Sequence, residues 1–254
     1  MAYDHTDLTD SQWEVIEKVL NQERKRQHSL RQVCNLLLYL LRTGCQWRQL
    51  PERGVSWNVV YYYFRKWQEN GVIEQLHELL YSQVRKDKNR PEMPSAAVID
   101  SQSVKTALAQ ECVGYDAGKK VKGRKRHLLV DTQGLVISVK VTSASMTDRK
   151  GACELLKQTD PVKCRRLERI FADQGYTGKL KEWIKKKMGI ELEVVKKQQR
   201  GIFQVLPKRW IVERNFAWLG NFRRLSKDYE RLIQVSESFI LLAMCQLMLN
   251  MLHH

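Results

Sequence analysis

The sequence predicts an α/β protein of the α+β kind, with a small all-α domain over residues 1–90 followed by a mixed five-stranded sheet flanked by helices over residues 91–254. Three observations carry this. Apolar residues recur at three- and four-residue spacing as far as Val84, short runs rich in β-branched residues take over beyond Pro94, and the polar stretch from Arg85 to Pro91 separates the two regimes. With 254 residues, 43% of them hydrophobic, the chain can bury a core, which excludes a disordered protein.

Thr9 can cap a first helix in which Trp13, Ile16, Val19 and Leu20 form one face. A second begins near Ser29, carries Leu30, Val33, Leu37, Leu40 and Leu41, and ends at Thr43-Gly44, where glycine can take the left-handed cap. Ser56 can cap a third over residues 57–69, in which Tyr61, Tyr62, Tyr63 and Phe64 sit beside Arg65 and Lys66. Such a helix could enter a DNA major groove in a helix-turn-helix-like unit; the alternative is that its aromatics form the small domain's core. A fourth helix runs from Ile73 to about Val84.

Strands follow at residues 96–99, 127–130 and 136–141, the last two joined through the turn Asp131-Thr132-Gln133-Gly134. A helix over 148–157, a strand over 169–172, a helix over 179–187, a strand over 191–195 and a helix after Pro207 complete the order. Three strands and then alternating helix and strand is the element order of a ribonuclease-H-like sheet. The C-terminal run 238–252 is shorter than the ~20 residues of a membrane span, contains Gln246 and Asn250, and reads as a buried helix or subunit contact.

A formal charge of +16 and a pI near 9.7 attract anionic polymers, with nucleic acid foremost. The six cysteines show no paired spacing and read as reduced thiols, and the polar N-terminus excludes a secretory signal. Against this cationic background three acids stand among apolar residues. Asp100 follows Ala96-Ala97-Val98-Ile99, Asp173 follows Ile170-Phe171-Ala172, and Glu213 lies on the helix after Pro207, away from the stripe of Val212, Phe216 and Leu219. Carboxylates converging from two strand ends and a helix suit two Mg²⁺ ions, which bind hard oxygen ligands and serve both the attacking and the leaving oxygen of a phosphodiester. For each acid an ordinary role, as turn residue or exposed surface acid, remains the alternative.

These residues carry a resemblance. Leu8-Thr9-Asp10-Ser11-Gln12-Trp13, Leu41 to Pro51 and Tyr61 to Trp67, with Asp100 in Ile-Asp-Ser-Gln-Ser-Val-Lys, Asp173 in Ala-Asp-Gln-Gly-Tyr and Glu213 in Arg-Trp-Ile-Val-Glu-Arg, are similar to the DDE transposases of bacterial insertion sequences, of the insertion sequence 5 type. The resemblance implies a ribonuclease-H-like core whose Asp100, Asp173 and Glu213 are catalytic and hold two Mg²⁺, with Mn²⁺ able to substitute. It further implies cleavage at the element's terminal inverted repeats, strand transfer into target DNA, a homodimer or larger assembly on DNA, no membrane, and a bacterial cytoplasmic, nucleoid-associated location. Relatives often carry a tyrosine where this chain has Leu206, and the cation expected downstream of the glutamate would come from Arg223, Arg224 or Lys227.

The basic run Lys119, Lys120, Lys122, Arg124, Lys125 and Arg126 is a candidate DNA-backbone surface, as are Tyr61, Arg65 and Lys66 on the third helix and Arg209, Arg214, Arg223 and Arg224 near the third acid. Lys185-Lys186-Lys187 and Lys196-Lys197 extend this set. His127, a lone strand-edge histidine, is given no catalytic role. Two other readings stay open, a ribonuclease-H-like nuclease and a domesticated transposase that only binds DNA.

Overall fold

The computed structural model describes residues 7–20, 27–107, 110–195 and 208–252, Arg209 by its backbone alone; Lys196, Lys197, Leu206 and Pro207 lie outside these. The chain divides into two compact units, Met1–Asn89 with Leu219–Tyr229 and Ser238–His254, and Arg90–Trp218 with Glu230–Glu237. Residues 219–229 and 238–254 thus fall in the unit of residues 1–89 rather than in that of residues 90–218.

In that unit Thr9 caps α1 (Asp10–Glu17) through a reciprocal box with Gln12. Helix α2 (Leu30–Thr43) stops at Gly44, which takes the left-handed conformation at φ 69°. Residues 44–56, including a 3₁₀ turn at Trp47–Gln49, lead to α3 (Trp57–Glu69). Only Asn70 and Gly71 separate α3 from α4 (Val72–Asp87), so the tight turn joins α3 to α4 rather than α2 to α3. Phe64 stacks on Phe239 at 4.8 Å, and Trp47 packs against both rings. The core reading of α3 holds for part of its aromatic face. Val60, Phe64 and Trp67 are core, whereas Tyr61 and Tyr62 stand 41% and 57% exposed.

The second unit is built on β1 (Ala96–Lys105), β2 (Gly114–Asp116), β3 (Val121–Asp131), β4 (Val136–Ser143), β5 (Arg169–Ala172) and β6 (Glu191–Val194). Its helices are α5 (Asp148–Gln158), α6 (Pro161–Cys164), α7 (Lys179–Met188) and α8 (Arg209–Gly220), and α9 (Ile233–Leu252) begins in it. The sheet runs β2-β3-β1-β5-β6, with β4 beside β3 on the same edge as β2; β1 to β4 are antiparallel and β5 and β6 run parallel to β1. This is the mixed, helix-flanked sheet that the sequence predicts, with the three-residue β2 as a sixth strand. Asp131 closes the β3–β4 turn, its Oδ1 accepting from the N–H groups of Gln133 and Leu135.

The main departure is in β3. The basic run, expected as a candidate DNA-backbone surface ahead of a strand at His127, is itself strand from Val121 onward, and alternation sends its side chains to the two faces of the sheet. Ser101, Ser103, Lys125 and His127 share one face, which α5 covers; Asp100, Gln102, Arg124 and Arg126 share the other. Arg124, fully buried, donates to the carbonyls of Glu111, Glu230 and Arg231 and to Ser236 Oγ, tying three separate segments to β3. Helix α9 starts at Ile233, five residues earlier than expected, which makes it long and apolar enough to cross a bilayer by length and composition, yet most of that stretch is buried within the protein.

Removing the Arg124 guanidinium takes their donor from the buried Glu230 carbonyl and Ser236 hydroxyl and from the half-buried Glu111 and Arg231 carbonyls, at roughly 1–3 kcal/mol for each buried group and less for the others. Arg124→Ala should therefore lower the free energy of unfolding by about 3 kcal/mol or more in urea titrations, while Lys122→Ala, at an exposed position of the same strand, should change it by under about 0.5 kcal/mol.

Candidate active site beyond the parallel β1–β5 ladder

Strands β1 and β5 pair in parallel with Ala96, Ala97 and Val98 opposite Arg169, Ile170 and Phe171. Two residues further along, the same register sets Asp100 beside Asp173, whose backbone is still extended at φ −82° and ψ −178°. Neighbouring strands lie about 4.8 Å apart, and the common register puts both side chains on one face. A backbone N–H orients each carboxylate. Ser101 N donates to Asp100 Oδ1 at 2.7 Å, and Gly175 N to Asp173 Oδ1 at 2.8 Å.

Tyr176 is buried close by, and its hydroxyl has no well-formed hydrogen bond. Burial, and then the negative charges of Asp100, Asp148 and Asp173, push its phenol well above the usual range; the nearby Ser101 hydroxyl opposes a part of this. One buried phenol thus lies within electrostatic reach of three carboxylates. The sequence reading missed Asp148, because an acid in the first turn of α5 is also an ordinary helix start.

Glu213 is placed on the exposed side of α8, while Ile211, Val212, Phe216 and Leu219 are buried. The structure brings Asp100 and Asp173 together but does not close the third acid onto them: among the described residues no group of three or more His, Cys, Asp or Glu stands close enough to hold a metal ion. In kind, the donors around Tyr176 fit a hard divalent cation, being carboxylate oxygens with no thiolate or imidazole among them.

Several expected DNA contacts turn inward. Arg124 holds loops together; Arg126 is 2% exposed; Lys125 is 5% exposed and paired with Asp116 at 3.1 Å and Asp148 at 3.0 Å. Arg224 is buried, donating to the Cys45 carbonyl and lying over Trp47 and Phe239. Arg214 is held between the rings of Trp210 and Trp218 at 4.7 and 4.5 Å and donates to the Gln133 carbonyl. The reason is common to Arg124, Lys125, Arg224 and Arg214: long cationic side chains on strands and half-buried helix faces satisfy backbone carbonyls, carboxylates and aromatic faces inside the protein. Lys119, Lys120, Lys122, Arg223, Lys66 and Tyr61 remain at the surface, and Arg65 pairs with Glu69 on the exposed side of α3. The Arg209 side chain lies outside the described residues.

His127 is structural, as its lone position suggested. Its Nε2 lies 3.0 Å from Thr142 Oγ1, and burial pushes its pKa down to about 4. Gly151 of α5 packs so closely that a Cβ there would stand 2.0 Å from the ring.

The fold and the acids beyond the β1–β5 ladder together define a ribonuclease-H-like protein with an N-terminal helical region. Comparison with known families takes this one step further. A family profile described as "Transposase DDE domain" matches residues 91–248, and one described as "Putative transposase of IS4/5 family" matches residues 8–77, so the chain belongs to the DDE transposases of IS4/5-type insertion sequences. It is 29% identical over 136 residues to the "Putative transposase for insertion sequence element IS402" of Burkholderia cepacia, a match covering 51% of this chain and 64% of that protein. It is 32% identical over 117 residues to the "Insertion element IS402 uncharacterized 16.2 kDa protein" of the same organism, covering 42% and 78%. The chain therefore spans just under two thirds of the first of these relatives. No solved structure matches it significantly.

Because His127 is neutral in the fold down to about pH 4 but takes up a proton near pH 6.5 when unfolded, the unfolded state binds more protons between these values. Stability contributed by the neutral ring is full above pH 6.5 and is lost as pH falls towards 4, by on the order of 3 kcal/mol. Urea titrations between pH 4 and 7 should show a shallower pH dependence in His127→Gln than in the unsubstituted protein; equal slopes would contradict the assignment.

Proposed function

We propose that the protein is a transposase that cleaves DNA at the ends of its insertion sequence and joins the freed 3′-hydroxyls to target DNA, with Asp100, Asp173 and Glu213 as catalytic carboxylates. The observation that supports this most is that Asp100, within β1, and Asp173, just past β5, stand beyond the parallel β1–β5 ladder and both act on the buried Tyr176, in a chain of net charge +16 that belongs to the DDE family. The three acids would hold two Mg²⁺, replaceable by Mn²⁺. Bound there, such ions supply Lewis-acid stabilisation of the attacking and leaving oxygens.

The protein's own groups do the remaining work. The N–H groups of Ser101 and Gly175 hold the two aspartates in fixed orientations, and α8 presents Glu213 on its open side. The exposed Lys119, Lys120 and Lys122 hold DNA backbone next to β3 without reading sequence, and Tyr61, Tyr62 and Lys66 of α3 bind the element's ends. Joining two ends calls for two copies or more, and such an enzyme works where the bacterial chromosome lies, in the cytoplasm.

On a plasmid carrying the native flanking sequence, Asp100→Ala should abolish strand cleavage in Mg²⁺ and leave binding to the ends within about threefold; cleavage by this variant would refute the assignment. Cleavage without strand transfer into a second plasmid would indicate a nuclease, and end binding with no cleavage in Mg²⁺ or Mn²⁺ by the unsubstituted protein a DNA-binding protein only. A second prediction separates surface from interior cations. Lys120→Ala and Lys122→Ala should each reduce the slope of log affinity against log salt by about 1, whereas Lys125→Met should leave the slope unchanged and reduce stability instead.

A further inference from the structure

Asp148 lies between the two segments that carry Asp100 and Asp173. Its Oδ1 accepts from Ser101 Oγ at 2.7 Å and from Lys125 Nζ at 3.0 Å. On its other side, a Cβ built on Gly175 would stand 3.5 Å from Asp148 Oδ2 and 3.0 Å from Asp173 Oδ1. One carboxylate therefore holds the residue next to Asp100 and abuts the turn whose N–H orients Asp173.

The support behind Asp148 is complete. Lys125 has three ammonium protons and three acceptors, Met146 O at 3.0 Å, Asp148 Oδ1 at 3.0 Å and Asp116 Oδ2 at 3.1 Å. Asp116 in turn accepts from Ser103 Oγ at 2.6 Å and from Lys119 N. The chain Ser101, Asp148, Lys125, Asp116, Ser103 thus runs between two serines on the same face of β1, and Lys119 Nζ adds a bond to the Ser101 carbonyl at 3.0 Å. Burial alone would raise both carboxyl pKa values, yet the serine and lysine hydrogen bonds and the Lys125 charge bring both below the usual range, so both stay ionised.

An acid at a helix start can serve simply as a cap, but in α5 that task falls to Thr147, whose hydroxyl accepts from Lys150 N. The Asp148 carboxylate points instead into the site. We propose that Asp148 is a positioning residue for the catalytic aspartates: by tying Ser101 of β1 to the Asp173 turn, and with its charge balanced by Lys125, it sets how tightly Asp100 and Asp173 hold a divalent ion. The inference rests on the metal-dependent reading above and goes beyond it in assigning a fourth acid and its lysine.

The test is Mn²⁺ binding to the full chain without DNA, followed by calorimetry or by the paramagnetic signal of free Mn²⁺, alongside thermal unfolding and the Mn²⁺ concentration that gives half-maximal cleavage. Asp148→Asn keeps shape and acceptor capacity but removes the charge; it should weaken Mn²⁺ binding roughly 10–100-fold, shift the cleavage midpoint by the same factor and leave maximal cleavage at saturating Mn²⁺ within about threefold. Ser101→Ala should weaken binding by a smaller factor, and the double variant by less than the product of the two, because both act through one bond. Unchanged Mn²⁺ affinity in a folded Asp148→Asn protein overturns the proposal; should that variant not fold, unchanged affinity in Ser101→Ala does so. Asp100→Asn distinguishes the two levels. If it too leaves Mn²⁺ affinity intact, the metal assignment fails and this inference with it, whereas loss of binding in Asp100→Asn together with intact binding in Asp148→Asn refutes the role of Asp148 alone.

Discussion

The short parallel ladder between β1 and β5 is the constraint on which the site depends. Side chains alternate along a strand with a period of two, so a slip of a single residue would carry Asp173 to the opposite face from Asp100 and separate the acids by the thickness of the sheet. The register is fixed from both sides. β1 pairs along Ala97 to Lys105 with β3, β5 pairs with β6, and Ala97, Ile170 and Ala172 are all at most 3% exposed. A slip would also bring the exposed Arg169 position into the interior, where a charge without a partner costs several kcal/mol. Hydrophobic packing along β5 thus determines where a carboxylate stands beyond the strand's end.

The second organising fact is where the positive charge goes. A net charge of +16 describes the chain but overstates its surface, since Arg124, Lys125, Arg126 and Arg224 are buried. A buried cation is tolerable only when its protons are met, and for Arg124 and Lys125 the acceptors are backbone carbonyls and carboxylates from separate stretches of chain. These cations act as internal fasteners. Lys119, Lys120 and Lys122 stay at the surface, as do the lysines 185–187 on α7, and on the proposed function these are the cations open to DNA phosphates, whose contribution would fall with salt as counterion release requires.

What the sequence disclosed and what it hid follow from range. Thr9 with Gln12, and Gly44 after Thr43, act within one helical turn, so their caps could be read directly. The Asp131 turn is equally local, and the position of Asp173 just past β5 follows from the apolar run before it; Asp100, expected at a strand end, instead lies midway along β1, because Ser101 to Lys105 continue the strand by pairing with β3, which the polar sequence does not announce. The run from Lys119 to Arg126 misled because charge suggests solvent, while what makes it interior is a set of acceptors from residues 111, 116, 146, 148, 230 and 231. Nothing in eight residues of basic sequence announces them. The same holds for α9, whose apolar surface shows that it is buried but not that most of it belongs with the N-terminal unit. Asp148 combines both effects, a local reading as helix start concealing long-range bonds to Ser101 and Lys125.

Strand and helix then impose different physics on the three acids. Asp100 and Asp173 are held by sheet hydrogen bonds and by their own N–H contacts, so their spacing can change only if the ladder breaks. Glu213 lies on a helix that is attached to the sheet unit through Arg214, clasped by Trp210 and Trp218 and bonded to the Gln133 carbonyl. That clasp fixes the helix at the β3–β4 turn while leaving the neighbouring Glu213 side chain in solvent. Lys125 lies on the face of the sheet opposite Asp100, where it balances Asp116 and Asp148. Asp148 nevertheless reaches the Asp173 turn and shares the buried Tyr176 with Asp100 and Asp173, so the Lys125 cluster is coupled to the two aspartates through Ser101 and that turn rather than screened from them by the sheet.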